Sequence, residues 1–208
     1  MGAVQLGLFG GEAPAFDRQF SALARVELGS GAWVDYQPGW VSGHAALFEA
    51  LSSGTRWRIG EEQIYERTVP TPRMLAMLPD DGPGHPLLEQ LRVALSRRYG
   101  QEFERVSMAL YRDGRDSVAF HGDRIARTMR EALVATVSLG APRRFLVRPR
   151  GGGSSRAWNL GWGDLLVMGG SAQRTFRHGI PKVAHAAPRI AIMFRPRWQE
   201  RQGVSAKQ

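Results

Sequence analysis

The stretch DLLVMGGSAQRTFRHGIPKVAHAAPRIAIMFR, residues 164–195, decides the fold. It divides into short β-type runs, Asp164–Met168, Gln173–His178 and Arg189–Arg195, separated by Gly, Ser and Pro. That is the texture of strands joined by tight turns rather than of helices. The last run alternates. Strand side chains repeat with period two, so Ile190, Ile192 and Phe194 take one face while Arg189, Ala191, Met193 and Arg195 take the other. Paired arginines on one strand face read in two ways: as a solvent-facing basic edge, or, where the face lines a cavity, as cationic partners for a dianionic ligand with Ala191 leaving room between them.

Further upstream the same texture continues through Val106–Tyr111, Ser117–Asp123, Leu133–Leu139, Arg144–Arg148 and Arg156–Leu160, with Gly151–Gly153 as a hairpin tip. Eight such runs predict a sandwich or jelly roll, so the fold is expected to be mainly β. Two helices should flank it. One covers Gly43 to Leu51, where Leu47, Phe48 and Leu51 recur at helical spacing; the other covers Pro86 to Tyr99, closed by Gly100. Between them, Tyr65 to Met77 carries Pro70 and Pro72 and reads as an irregular or edge-strand segment. Residues 1–15 read as a flexible tail, and 16–208 as one domain, with helices in 16–105 and the β core in 106–197.

Composition narrows the chemistry. Hydrophobic residues make up 43% and charged residues 23% of the 208, an ordinary globular balance with no run long enough to span a bilayer. A cytoplasmic monomer is expected. Cysteine is absent, which excludes disulfides, thiolate zinc and iron–sulfur clusters, so any metal must sit on His, Asp or Glu. The formal charge is +9, and Lys182 and Lys207 are the only lysines, so the excess is almost all arginine, whose fork suits phosphate.

His121-Gly-Asp123 places an imidazole and a carboxylate two residues apart on a predicted strand, where both point to one side. His178, at the end of another run, supplies a third donor. Two histidines and a carboxylate on one face of an octahedral ion leave positions open for co-substrate and O2, as non-haem iron(II) oxygenases require. A hydrolytic zinc site could use similar ligands.

In order, Tyr111, His121-x-Asp123, His178 and Arg189-x5-Arg195, with the segment from Asp164 to Lys182, resemble the signature of the AlkB dioxygenases. The Pro72-Arg73 segment matches more loosely, and the likeness covers roughly residues 106–197. It implies a double-stranded β-helix with an N-terminal nucleotide-recognition lid. It further implies iron(II) on His121, Asp123 and His178, 2-oxoglutarate held by Tyr111, Arg189 and Arg195, and O2 as the oxidant. The activity implied is oxidative dealkylation of N-alkylated bases in DNA or RNA, with succinate, CO2 and an aldehyde released. The alternative is the same chemistry on a protein or small molecule. The chain departs from the family's usual pattern at Ala109 and Ala191, where many members carry asparagine, and at Arg124 and Ile125, where an acidic residue commonly reads the base. Trp57 and Tyr65 are candidates to stack on the base, and Arg73, Arg148, Arg150 and Arg156 to contact phosphates. Gln5, Leu6, Leu8 and Phe9 resemble the short bacterial motif that docks on the replication sliding clamp.

Overall fold

The computed structural model describes residues 12–64, 67–123, 125, 129 and 131–197. Its elements in order are β1 (Ala15–Phe16), β2 (Ala24–Gly29), β3 (Ala32–Gln37), β4 (Val41–Ser42), α1 (His44–Gly54), β5 (Arg58–Ile64), β6 (Arg67–Leu78), α2 (Pro86–Tyr99), β7 (Arg105–Tyr111), β8 (Val118–His121), β9 (Val134–Gly140), β10 (Arg143–Pro149), β11 (Arg156–Leu160), β12 (Asp164–Gly170), α3 (Ala172–Thr175), β13 (Phe176–Ile180) and β14 (Arg189–Arg195).

Among the described residues an eight-stranded sheet, ordered β2-β3-β12-β9-β14-β7-β6-β5, faces a four-stranded sheet, β11-β10-β13-β8, with β1 and β4 as a separate pair. The split of β14 into two faces explains the layers. Ile190, Ile192 and Phe194 join Met108, Leu110 and Val137 against the buried leucines of α1 and α2. Ala191 and partly buried Met193 belong instead to the cluster between the sheets, with Ala109, Tyr111, Leu166, Phe145 and Val147. The β core is thus a double-stranded β-helix with helices on the outer side of its larger sheet.

Helix α2 is well specified by its sequence. Pro86 opens it, His85 Nδ1 accepts from the Leu87 N–H at 3.1 Å, and Gly100 closes it in the left-handed region. Its buried Leu87, Leu88, Leu91 and Leu95 dock it on the sheet, each contributing roughly 1.5–3 kcal/mol by area burial. The expected helix at Gly43 forms with Gly43 as its cap and runs on to Gly54.

Three expectations need correction. The segment from residue 67 is neither irregular nor at an edge: β6 lies between β5 and β7. The prolines fit because β7 pairs only with Met74–Leu78, leaving Pro70 and Pro72 beyond that ladder. The run starting at Gln173 begins with the turn of α3 and becomes strand only at Phe176. And β8 stops at His121, so Asp123 lies past the strand end rather than on its face. Of the expected tail, Ala15 pairs with Ser42, while the clamp-like Gln5, Leu6, Leu8 and Phe9 lie outside the described residues, as do Tyr65 and Arg124. No described helix is long and apolar enough to cross a membrane.

Candidate metal centre

Strand pairing assembles the centre. Antiparallel β8 and β13 place His121 directly opposite His178, with ring centroids 4.4 Å apart. The chain turns beyond β8 through Gly122 and brings Asp123 beside them, so that donor atoms of His121, Asp123 and His178 all lie within 4.8 Å of one another. Arg150 packs closely here, for a Cβ on Gly122 would stand 2.5 Å from its Nη2, although that exposed side chain can swing aside. The Arg150 guanidinium therefore lies against the turn between two of the donors.

Each donor is prepared for a cation. His121 Nδ1 pairs with the Ala119 carbonyl at 2.9 Å, which places the proton on Nδ1 and leaves Nε2 as the lone pair. His178 is buried, stacks on Phe145 at 5.4 Å, and is pushed down to about 4 by that burial, only partly offset by Asp123. It is a neutral imidazole at pH 7. Burial also opposes the Asp123 carboxylate, but Arg195 and the two histidines outweigh it and hold Asp123 below the usual range. Asp123 Oδ1 accepts from Arg195 Nη2 at 3.0 Å, whereas buried Oδ2 has no hydrogen-bond partner among the described residues and stands 3.9 Å from His178 Nε2. That separation is too long for a hydrogen bond and leaves room for an ion with ligand bonds of ~2.0–2.2 Å. A carboxylate oxygen without a partner, two imidazoles and no thiolate fit iron(II).

The two arginines of β14 sit at different stations. Six residues apart, their Cα atoms are separated by roughly 20 Å along the strand. Arg195 is bound to Asp123 and, through Nη1, to Ser107 Oγ at 2.8 Å. Arg189 is fully buried opposite Tyr111 on β7 and Gly140 on β9. Its Nη2 donates to Ser138 Oγ at 2.6 Å, and its Nε and Nη1 have no partner among the described residues. Burial lowers its affinity for a proton, which the Tyr111 hydroxyl partly restores. A buried guanidinium with two unmatched donors and no described carboxylate partner awaits an anion.

Ser107 and Ser138 escaped sequence reading because their roles come from the registers of β7 and β9 against β14, where no motif marks them. Trp57 is not in the cleft: its indole N–H donates to the Ser52 carbonyl and its ring packs with the helix-side core, across the large sheet from the metal donors. Among the phosphate candidates, Arg148 lies over the Phe120 ring at 3.8 Å and Arg150 is exposed, while Arg73 donates to Ser117 O and Arg156 to Glu27 O.

A double-stranded β-helix carrying two histidines and a carboxylate at the mouth between its sheets defines the class of non-haem iron oxygenases. The chain belongs to the 2OG-Fe(II) oxygenase superfamily, whose family model matches residues 54–197. Within it the likeness is to the AlkB type: the chain is 32% identical over 130 residues to the alpha-ketoglutarate-dependent dioxygenase alkB homolog 3 of Bos taurus, covering 58% of this chain and 46% of that protein. It is 33% identical over 122 residues to the DNA oxidative demethylase ALKBH2 of Bos taurus, covering 54% and 44% respectively. The matched part thus spans about half the length of these curated relatives. The solved structure of OsALKBH1 shares the fold, with a TM-score of 0.56 at 14% identity over 84% of this chain and all of that one. Family membership brings Fe(II), 2-oxoglutarate and O2 as cofactor and co-substrates.

Proposed function

We propose that this protein oxidatively removes alkyl groups from N-alkylated bases of DNA or RNA. The observation that carries the reading is the occurrence of two prepared sites in one β core: the His121, Asp123 and His178 donors at β8 and β13 of the smaller sheet, and buried Arg189 with unmatched donors on β14 of the larger. When bound, iron(II) with 2-oxoglutarate and O2 supplies the oxidation of the N-alkyl carbon, after which the adduct releases an aldehyde and the intact base, with succinate and CO2 as co-products.

His121 and His178 would hold the metal through their imidazoles, the buried His178 being neutral, and Asp123 would contribute the anionic ligand while Arg195 fixes its orientation through Oδ1. Arg189 and Tyr111 hold the far carboxylate of 2-oxoglutarate, and Arg195 favours the keto-acid end beside the metal. The full burial of Arg189 keeps water from that ion pair. A base must leave its stack to reach the metal, and a lesion that weakens pairing makes this less costly. The β5–β6 hairpin, which holds Pro72 and Arg73, is the lid under which the base is received. The +9 charge supports a polyanionic substrate.

The test is mass spectrometry of short oligonucleotides bearing 1-methyladenine or 3-methylcytosine after incubation with iron(II), 2-oxoglutarate and ascorbate. Loss of one methyl group in wild type and none in Asp123→Ala or His178→Ala is expected. Succinate release without demethylation would overturn the substrate class, and iron-dependent succinate release by both variants would overturn the metal site.

A further inference from the structure

A second arginine is buried beside the deep end of the pocket. Arg143, the first residue of β10, is 2% exposed and makes no salt bridge among the described residues. Its Nη1 donates to Asp113 O at 3.0 Å, and its Nη2 donates to Asp116 O at 2.8 Å and Pro181 O at 2.7 Å. Buried Nε has no hydrogen-bond partner among the described residues. The nearby carboxylates are committed elsewhere, Asp113 to Arg115 and Asp116 to Arg112. Arg143 Cζ lies 5.7 Å from the centroid of the Tyr111 ring, and Arg189 Cζ lies 5.1 Å from the same centroid. One tyrosine is thus shared by two buried guanidiniums.

Burying two like charges around one ring is unfavourable unless something compensates them, and here backbone carbonyls do so only by their dipoles. Burial first, and the Arg143 charge in addition, push Arg189 below the ordinary arginine range. A ligand bringing no negative charge to this end leaves an excess of positive charge, whereas one whose far end is a full carboxylate relieves it. The three carbonyl bonds also fasten the loop after β7 to the loop after β13, and so fix where Tyr111 stands.

We propose that Arg143 is a positioning and specificity residue of the co-substrate pocket, fastening the loops around Tyr111 and adding the charge that makes the pocket demand a dicarboxylate keto acid. This rests on the reading of Arg189 as the co-substrate's partner.

The experiment is calorimetric binding to the full chain loaded with manganese(II), an inert stand-in for iron, with two probes: 2-oxoglutarate, and 2-oxobutyrate, which keeps the keto acid but lacks the far carboxylate. The readout is the ratio of the two affinities. Arg143→Gln keeps a polar side chain but loses the charge, and should lower the ratio by roughly tenfold, the usual weight of a charge-assisted contact. Arg143→Lys keeps the charge and should hold the ratio near wild type. A purely structural role would weaken both probes alike, leaving the ratio unchanged in both variants, and that result would overturn the proposal, as would equal loss of the ratio in Lys and Gln. Arg189→Met is measured alongside. An unchanged ratio there removes the parent reading, whereas a ratio lost in Arg189→Met but kept in Arg143→Gln removes only the role of Arg143.

Discussion

Arg189 and Arg195 are alike on paper and different in place, and their substitution should show it. Arg189 is wholly buried with donors unmatched, so on the proposed reading Arg189→Met deletes the main charge partner of the far carboxylate, a change worth ~3–5 kcal/mol, against ~0.5–1.5 for the neutral hydrogen bond removed in Tyr111→Phe. The 2-oxoglutarate concentration for half-maximal succinate release should rise by roughly a hundredfold or more in the first and only several-fold in the second. Arg195→Met should act differently again, because its Nη2 holds Asp123: metal affinity, read by manganese(II) titration, should fall together with co-substrate binding. Small equal effects from all three would place the co-substrate elsewhere. At this scale the sequence was most informative where chemistry sits on side chains of fixed spacing. The face split of β14 and the opposition of His121 and His178 follow from period two and from a shared metal. Ser107 and Ser138 were illegible because strand registers, which no local pattern encodes, decide what they touch, and Arg143 because its partners are loop carbonyls distant in sequence.

Strand β8 is where the centre depends on an element rather than on a residue. Gly179 follows His178 on β13, and a Cβ there would meet Val118 O at 3.0 Å and Phe120 N at 3.2 Å, both backbone atoms of β8. These cannot swing aside as a side chain can. Gly179→Ala should therefore push β8 from β13 and spread the opposed histidines, weakening manganese(II) binding by about tenfold or more while costing only ~1–3 kcal/mol of stability. Unaltered metal affinity would show that the pairing has slack. Elements with strong local signals, such as α2 with its proline start and glycine stop, were readable to the residue. The hairpin of β2 and β3 was missed although Ser30 and Gly31 turn it with positive φ, because β2 is largely exposed and neither strand carries a long apolar run. The interior place of β6 was missed because prolines argue against a central strand, and the structure satisfies that rule by ending the β7 ladder before them.

Across the whole molecule, the outer side of the smaller sheet carries Arg148 opposite Arg177, with Arg150 running on to the turn between His121 and Asp123. Among the described residues no side-chain hydrogen bond engages Arg148 or Arg150, whereas Arg73 and Arg156 each spend Nη1 on a backbone carbonyl. Replacing Arg148 and Arg150 by serine should reduce the slope of log affinity against log salt by roughly 0.7–0.9 for each phosphate no longer neutralised, measured by fluorescence anisotropy of an oligonucleotide, with the corresponding Arg156 variant nearer wild type. A slope unchanged by the double replacement would move the backbone track to another face. The placing of the metal donors carries a last consequence. Four-residue β8 is the outermost strand of its sheet; Ser117, just before it, is tied to Pro72 O and the Arg73 side chain, while its far end is held by the His121 pairing. An ion shared by His121, Asp123 and His178 would act there as a clasp, so chelation should let that end fray, speeding amide hydrogen exchange in residues 118–121 well before the helices α1 and α2 respond. Iron supply would then govern the mechanical integrity of one sheet margin as well as turnover.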